Sequence, residues 1–446
     1  MASASSAKER TVATDQRGHA GRPAGVGGAG TPPAPEGLLC PVPRDRLRGW
    51  WALLTISLGL LGAGAVSLGV TLSRGIGAWG VTDEVPWGIE IATFVFWLGI
   101  AHAGSLLSAV LLLLRRRWRG RIHRVAETVS VLSIACAAVI PIAHLGRPWL
   151  VYWSAPYPNS RGPLWVGFQS PLTWDAFAIG VYLLVSLTFW YAGLLPDLGA
   201  LSARVASARM RRLLSLLALR WTGSLLDWRA HRSLMDVLAV VVTATFLATS
   251  TIVSLDFALT PIPGWRAAVL PLYFLGGAIH TGVAFVLAVL IAARSALRLG
   301  PSVSREHLEK LAKLLIATTC LMAALFAIEA TGLLSGSEAE RRLLADRACG
   351  PLAWAFWSML VLSVAVPGAL AVGRVRRSPG ALFAIAAAVV VGMWLERLVL
   401  VVTPLQRGFG TGDPAPYSPT LIEVGFVVGS LGLFLTGLLL LARLLP

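Results

Sequence analysis

Ten apolar stretches recur along the chain, separated by polar links, and each is long enough for the roughly 20 residues that cross a bilayer as a helix. Reading inward from each stretch predicts helices near 49–72, 86–114, 122–143, 170–194, 233–256, 267–292, 305–334, 351–373, 380–403 and 419–445. The links alternate in charge. The second carries Arg115, Arg116, Arg117, Arg119, Arg121 and Arg124, and the fourth Arg204, Arg209, Arg211, Arg212, Arg220, Arg229 and Arg232. The sixth carries Arg294, Arg298, Arg305, Lys310 and Lys313, and the eighth Arg374, Arg376 and Arg377. The odd links are poor: Arg74; Arg147 and Arg161; Arg266; Arg341, Arg342 and Arg347; Arg407. Positive residues stay cytoplasmic because they are costly to translocate. The pattern therefore places both termini inside and the odd links outside. It also checks the helix count, since one missed span would scramble the alternation.

Composition agrees. Only 13% of the 446 residues are charged and mean hydropathy is +0.72, against about 25% charged residues in a soluble domain. The net charge of +16 does not point to nucleic acid, because the arginines sit in the links and read as topology. The expected class is an all-α polytopic membrane protein. Residues 1–48, rich in Ala, Gly, Pro and Ser, are expected to be a disordered cytoplasmic segment. They lack the apolar core of a signal peptide, so the first span is itself the insertion signal. The cysteines, Cys40, Cys136, Cys320 and Cys349, form no C-x-x-C or C-x-x-C-H. Neither an iron–sulfur cluster, an attached haem nor a zinc site is expected in this chain.

Two spans resemble each other. Leu98-Gly99-Ile100-Ala101-His102-Ala103-Gly104 in the second matches Leu275-Gly276-Gly277-Ala278-Ile279-His280-Thr281-Gly282 in the sixth. Both spans run in the same direction, which suggests two four-helix bundles in parallel relation, residues 83–260 and 261–406. Helix 49–72 and the last segment, 417–446, would flank them. The two mid-membrane histidines make only one depth-matched pair, and packing or a proton relay suits them better than haem.

An ionisable group inside a span is costly and is a functional candidate by default. Glu90, His144, Asp175, Asp256, Glu329, Glu396, Arg397 and Glu423 fall near the outer ends, His102 and His280 near the middle, and Glu127 and Asp236 near the inner ends. A site near the outer face follows. His144-Leu145-Gly146-Arg147-Pro148-Trp149 ends the third span and Ser170-Pro171-Leu172-Thr173-Trp174-Asp175 opens the fourth. Between them lie Trp149, Tyr152, Trp153, Tyr157 and Trp165. Trp and Tyr favour the interface in any case, and together they would roof a flat amphipathic ligand entering from lipid. A quinol is such a ligand. Its oxidation removes two electrons and two protons, and a His hydrogen-bonded to an Asp can accept a proton at neutral pH. The other reading of the same residues is a helix cap at His144 and an ion pair from Asp175 to Arg147 or Arg161.

Several runs carry a resemblance. Val85-Pro86-Trp87-Gly88-Ile89 and Phe96 to Gly104, the two runs at His144 and Asp175, and Pro158-Asn159-Ser160-Arg161-Gly162-Pro163-Leu164-Trp165 resemble the NrfD/polysulfide-reductase membrane subunit family. Within it the likeness is to the ActC type of bacterial alternative complex III. It continues at Thr251 to Ala258, Ile262-Pro263-Gly264-Trp265 and Gly392-Met393-Trp394-Leu395-Glu396-Arg397. The resemblance implies ten helices in two bundles and a subunit that binds quinol or menaquinol near the outer face. It implies an iron–sulfur partner there of molybdopterin-oxidoreductase type, multihaem cytochromes c, and a homologous membrane subunit in the complex. It places His144 and Asp175 in catalysis, with Glu90, Gly99, Gly146 and Arg147 binding the quinol. His102, Asp256, His280, Glu329, Glu396 and Arg397 become candidates for proton movement. Two alternatives stay open: a quinone-interacting anchor of a molybdopterin enzyme, and a secondary transporter. The parallel repeat and the one-sided polar set disfavour the transporter, which usually shows inverted repeats and broken helices.

Overall fold

The computed structural model describes residues 47–155, 157, 162, 168, 171–296, 303–407 and 415–444. Residues 1–46, Arg161 and Trp165 lie outside them. Ten helices are long and apolar enough to cross a membrane, one for each predicted stretch. They are α1 (Leu47–Arg74), α2 (Ile89–Leu113), α3 (His123–His144), α4 (Pro171–Arg204), α6 (Leu225–Ala258), α7 (Leu270–Ala296), α8 (Arg305–Ser335), α10 (Ala353–Leu360) with its continuation, α11 (Pro379–Val402) and α12 (Leu421–Leu444). Two further helices go beyond the prediction, α5 (Ala208–Leu217) in the fourth link and α9 (Glu338–Cys349) in the seventh. Both are too short and too charged to register as apolar stretches.

Helix α2 packs on α3 and α6 and also on α7 and α11, α4 packs on α3 and α6, and α7 packs on α8 and α11, while α1 and α12 pair antiparallel on the outside. The centre is α2, α7 and α11, whose most apolar windows are 83%, 72% and 72% buried, against 17% for α1. Small residues set the closest approaches, as expected in lipid. A Cβ added at Gly282 of α7 would lie 2.0 Å from the Ala103 Cβ of α2, and one at Gly99 would lie 3.4 Å from the Ala278 Cα. The two Gly–His segments are thus the surfaces by which α2 and α7 meet. On the outside, Gly64 and Gly429 touch backbone to backbone. Trp50 Nε1 donates to Leu439 O at 3.2 Å, and Arg443 covers the Trp50 ring. Both ends of the described chain therefore lie at the same end of the bundle, the Arg-rich one.

The eighth span is broken. A π-helical turn at Val361–Ala365 follows α10. Pro367 has no N–H to offer the Ser363 carbonyl four residues back, so that oxygen is free for a side chain. His280 Nε2 takes it at 3.1 Å, and His280 Nδ1 faces Thr318 Oγ1 at 2.9 Å. Since a carbonyl only accepts, Nε2 carries the proton and Nδ1 accepts from Thr318.

Candidate functional site

His144 is the last residue of α3. The chain leaves the helix through Gly146, whose φ of +66° is the left-handed region that favours glycine. A Cβ there would also stand 3.0 Å from Ile76 N. This turn aims a 3₁₀ segment, Pro148–Ser154, along the Arg-poor end, leaving Trp149, Tyr152 and Trp153 about half exposed. Arg147 at the turn is exposed.

His144 is partly buried against Trp79, with ring centroids 5.6 Å apart. Its Nδ1 lies 3.5 Å from Glu90 Oε1. Glu90 opens α2, is fully buried, and accepts from Gly88 N at 2.9 Å. The third member of this neighbourhood is Tyr417. Its hydroxyl accepts from Ile89 N at 3.0 Å and donates to Glu423 Oε1 at 2.7 Å. Burial, and then the adjacent Glu90 and Glu423 carboxyls, push the Tyr417 hydroxyl above its usual range, so it stays protonated. Glu423 also accepts from Gly80 N and Thr420 N, each at 2.7 Å. The carboxyls of α2 and α12 are thus fixed by backbone donors around one histidine.

Asp175 meets a different partner from the one expected. It sits on α4, which packs on α6, and its carboxyl neighbours that of Asp256 on α6. The expected His144–Asp175 partnership is therefore replaced by two pairs, His144–Glu90 across α3 and α2 and Asp175–Asp256 across α4 and α6. Adjacency along the chain suggests the first pairing, whereas helix packing decides the partners.

The remaining candidates form two groups. His102 donates to or accepts from Ser250 Oγ through Nδ1 at 2.8 Å, and its Nε2 is buried with no hydrogen-bond partner. It lines a small cavity with Gly99, Phe274 and Arg397. Gly99 is nine residues along α2 from Glu90, about 13 Å at 1.5 Å per residue. It belongs with His102 at mid-membrane and not with His144. The second group is Glu396, whose Oε2 lies 3.2 Å from Arg397 Nε, and Glu329, whose Oε1 lies 2.9 Å from Arg347 Nη1. Arg397 also stacks over the Phe274 ring at 4.8 Å. Arg347 comes from α9, so this link helix reaches into the bundle with a buried cation.

Sequence reasoning missed Trp79, Tyr417 and the inward turn of Arg347. Trp79 and Tyr417 reach the site from distant links and carry no local signal. Thr420 and Glu423 did carry one, the T-x-x-E spacing of a capping box. Among the described residues no group of three or more His, Cys, Asp or Glu is placed to hold a metal ion.

The fold and site define a ten-span α-helical membrane protein with a buried His144–Glu90 pair at its Arg-poor end. The family model described as polysulphide reductase, NrfD, matches residues 78–407, and the chain belongs to that family. Subunits of this kind belong to redox enzyme complexes. The chain is also 26% identical over 424 residues to a putative membrane subunit of a dimethyl sulfoxide reductase from Halobacterium salinarum, covering 86% of this chain and 87% of that protein.

Proposed function

We propose that this chain is the quinol-oxidising membrane subunit of a multi-subunit oxidoreductase, with its substrate site at the Arg-poor end around His144. The observation that carries this reading is the His144–Glu90 pair, 3.5 Å apart, beside Trp79 and next to a link of exposed aromatics. With Nδ1 turned to Glu90, Nε2 is the edge that takes a quinol hydroxyl proton, and Glu90 stabilises the imidazolium formed. Two electrons leave for an iron–sulfur subunit docked on the same face, and two protons leave on that side, one of them through His144. Gly146 and Arg147 shape the entrance. Asp175 and Asp256 act as a second, separate proton-holding pair, and His102, His280, Glu329, Glu396 and Arg397 are the interior groups available for proton movement. The face is the outer one, the membrane is the bacterial cytoplasmic membrane, and menaquinol is the expected quinol.

The partner chemistry has two forms. The runs at His144 and Asp175 favour an alternative complex III arrangement of the ActC type, with multihaem cytochromes c and a homologous membrane subunit. The Halobacterium relative, by its name part of a dimethyl sulfoxide reductase, favours a molybdopterin enzyme that spends the electrons on a small oxidised substrate. In either form the role proposed for this subunit is quinol oxidation. The test is quinol oxidation by the assembled complex, followed first with an artificial acceptor and then with cytochrome c. Near-normal turnover in both His144→Ala and Glu90→Gln, with the complex fully assembled, would remove the site from this place.

A further inference from the structure

The fourth link does more than connect α4 to α6. Helix α5 carries Met210, Leu213, Leu216 and Leu217 on an exposed apolar row, while Leu214 alone of its leucines is buried against the protein. The chain then turns through Leu219 and Arg220, both with left-handed backbone (φ +50° and +58°), a conformation that non-glycine residues hold only where their surroundings impose it. Hydrogen bonds from Leu219 N to Leu216 O and Arg220 N to Ser215 O, at 2.9 and 2.8 Å, impose it here. The turn presents Leu219, 67% exposed, beside Leu225 and Leu226, 67% and 75% exposed.

Arg209, Arg212, Arg220, Arg229 and Arg232 are all exposed around this apolar surface and form no ion pair among the described residues. The link's one acid, Asp227, is occupied by its own helix start, where it accepts from Thr222 N at 3.0 Å and Ser224 N at 3.2 Å. The surface is therefore uncompensated positive charge laid beside leucines at the boundary of two spanning helices. That combination matches an interfacial amphipathic helix, whose apolar row enters the acyl layer while its cations meet headgroups. A soluble protein partner would bury the leucines but would have to reach them through lipid.

We propose that the α5 link is a binding site for anionic phospholipid at the Arg-rich end, with headgroup phosphates on Arg212, Arg220 and Arg229 and acyl chains along Leu213, Leu217 and Leu219. The site is independent of the quinol reading. The test uses the detergent-purified complex, stripped of lipid and then titrated with phosphatidylglycerol, phosphatidylcholine or inorganic phosphate, with retained lipid read by native mass spectrometry and stabilisation read by thermal unfolding. Phosphatidylglycerol is expected to bind and stabilise more than phosphatidylcholine, and its affinity to fall with added salt. Inorganic phosphate is expected to do neither. Each arginine near a charged bilayer surface is worth about 5-fold, so Arg212→Gln with Arg220→Gln should weaken phosphatidylglycerol binding roughly 25-fold. Arg74→Gln, at the opposite end, should leave it unchanged. Equal binding of the two lipids by the unaltered complex, or equal stabilisation by inorganic phosphate, overturns the proposal whether or not the variants assemble.

Discussion

At the scale of single residues, the energetics rest on which buried charge faces which. His144 and Glu90 are expected to act as one unit. His144→Ala should slow quinol oxidation by about 100- to 10,000-fold, the usual contribution of a positioned base. Glu90→Gln should also be slow, and the double variant should lose little more than the worse single one. Asp175 should behave differently. In a double-mutant cycle on thermal stability, Asp175→Asn is expected to couple to Asp256→Asn and not to His144→Ala, since the carboxyl pair spans α4 and α6. Coupling of Asp175 to His144 instead would restore the pairing read from the sequence. Glu329 and Arg347 supply a stability test. Their side chains are 11% and 4% exposed, so Glu329→Gln leaves a buried cation and should cost about 3–5 kcal/mol. Adding Arg347→Met should recover most of it. The sequence singled out the costly residue types because an ionisable group in an apolar run is conspicuous. It did not reveal their partners, because Glu90 and His144 are brought together only by the packing of α2 on α3, and Asp175 is drawn away by the packing of α4 on α6.

At the scale of elements, the long spans were legible and the short amphipathic ones were not. A spanning helix must be apolar along about 20 residues, and that signal survives any detail of packing. Helices α5 and α9 lie in the links, where the arginines that reveal topology hide helical periodicity. Helix α9 did announce itself, through Ser337 and Glu340, which form a capping box. The break in the eighth span also has a readable cause in Pro367, but its consequence, a carbonyl handed to His280, depends on where α7 lies. Helix pairing in lipid rests on close approach of small residues, and this gives the element-scale prediction. The Cβ of a residue at position 429 would stand 2.3 Å from the Gly64 Cα. Gly429→Leu must therefore push α1 away from α12. Overpacking of this kind costs about 1–3 kcal/mol, so a lower unfolding temperature of the detergent-solubilised protein is expected, with α1 more open to proteolysis at its ends. Gly59→Leu, where an added Cβ meets nothing within 4 Å, is the control and should unfold like the parent. Equal stability of the two variants would mean that the pair is held by other contacts.

At the scale of the whole molecule, one asymmetry organises the rest. The Arg-rich links gather at one end, where Glu127 and Asp197 pair with Arg119 and Arg124, while Glu90, Asp175, Asp256, Glu423 and His144 lie toward the other. The alternation of charge along the sequence made the ends legible before any packing was known, because even one error in the count would have mixed them. The geometry adds that the first and last spans run side by side, with Trp50 bonded to Leu439 and covered by Arg443. The start of α1 and the end of α12 must then lie at one end of the bundle, and the charge rule predicts that this end faces the cytoplasm. Reporter fusions at Ser154, in the aromatic link beside His144, are expected to report the outer compartment. Fusions near Arg209 in α5, and after Arg443, are expected to report the cytoplasm. The three results are coupled. A cytoplasmic signal at Ser154 with outer signals at the other two would keep the fold and invert it in the bilayer, placing the proposed quinol site on the inside. Disagreement between the Arg209 and Arg443 fusions would contradict the six spans, α6, α7, α8, α10, α11 and α12, that separate them.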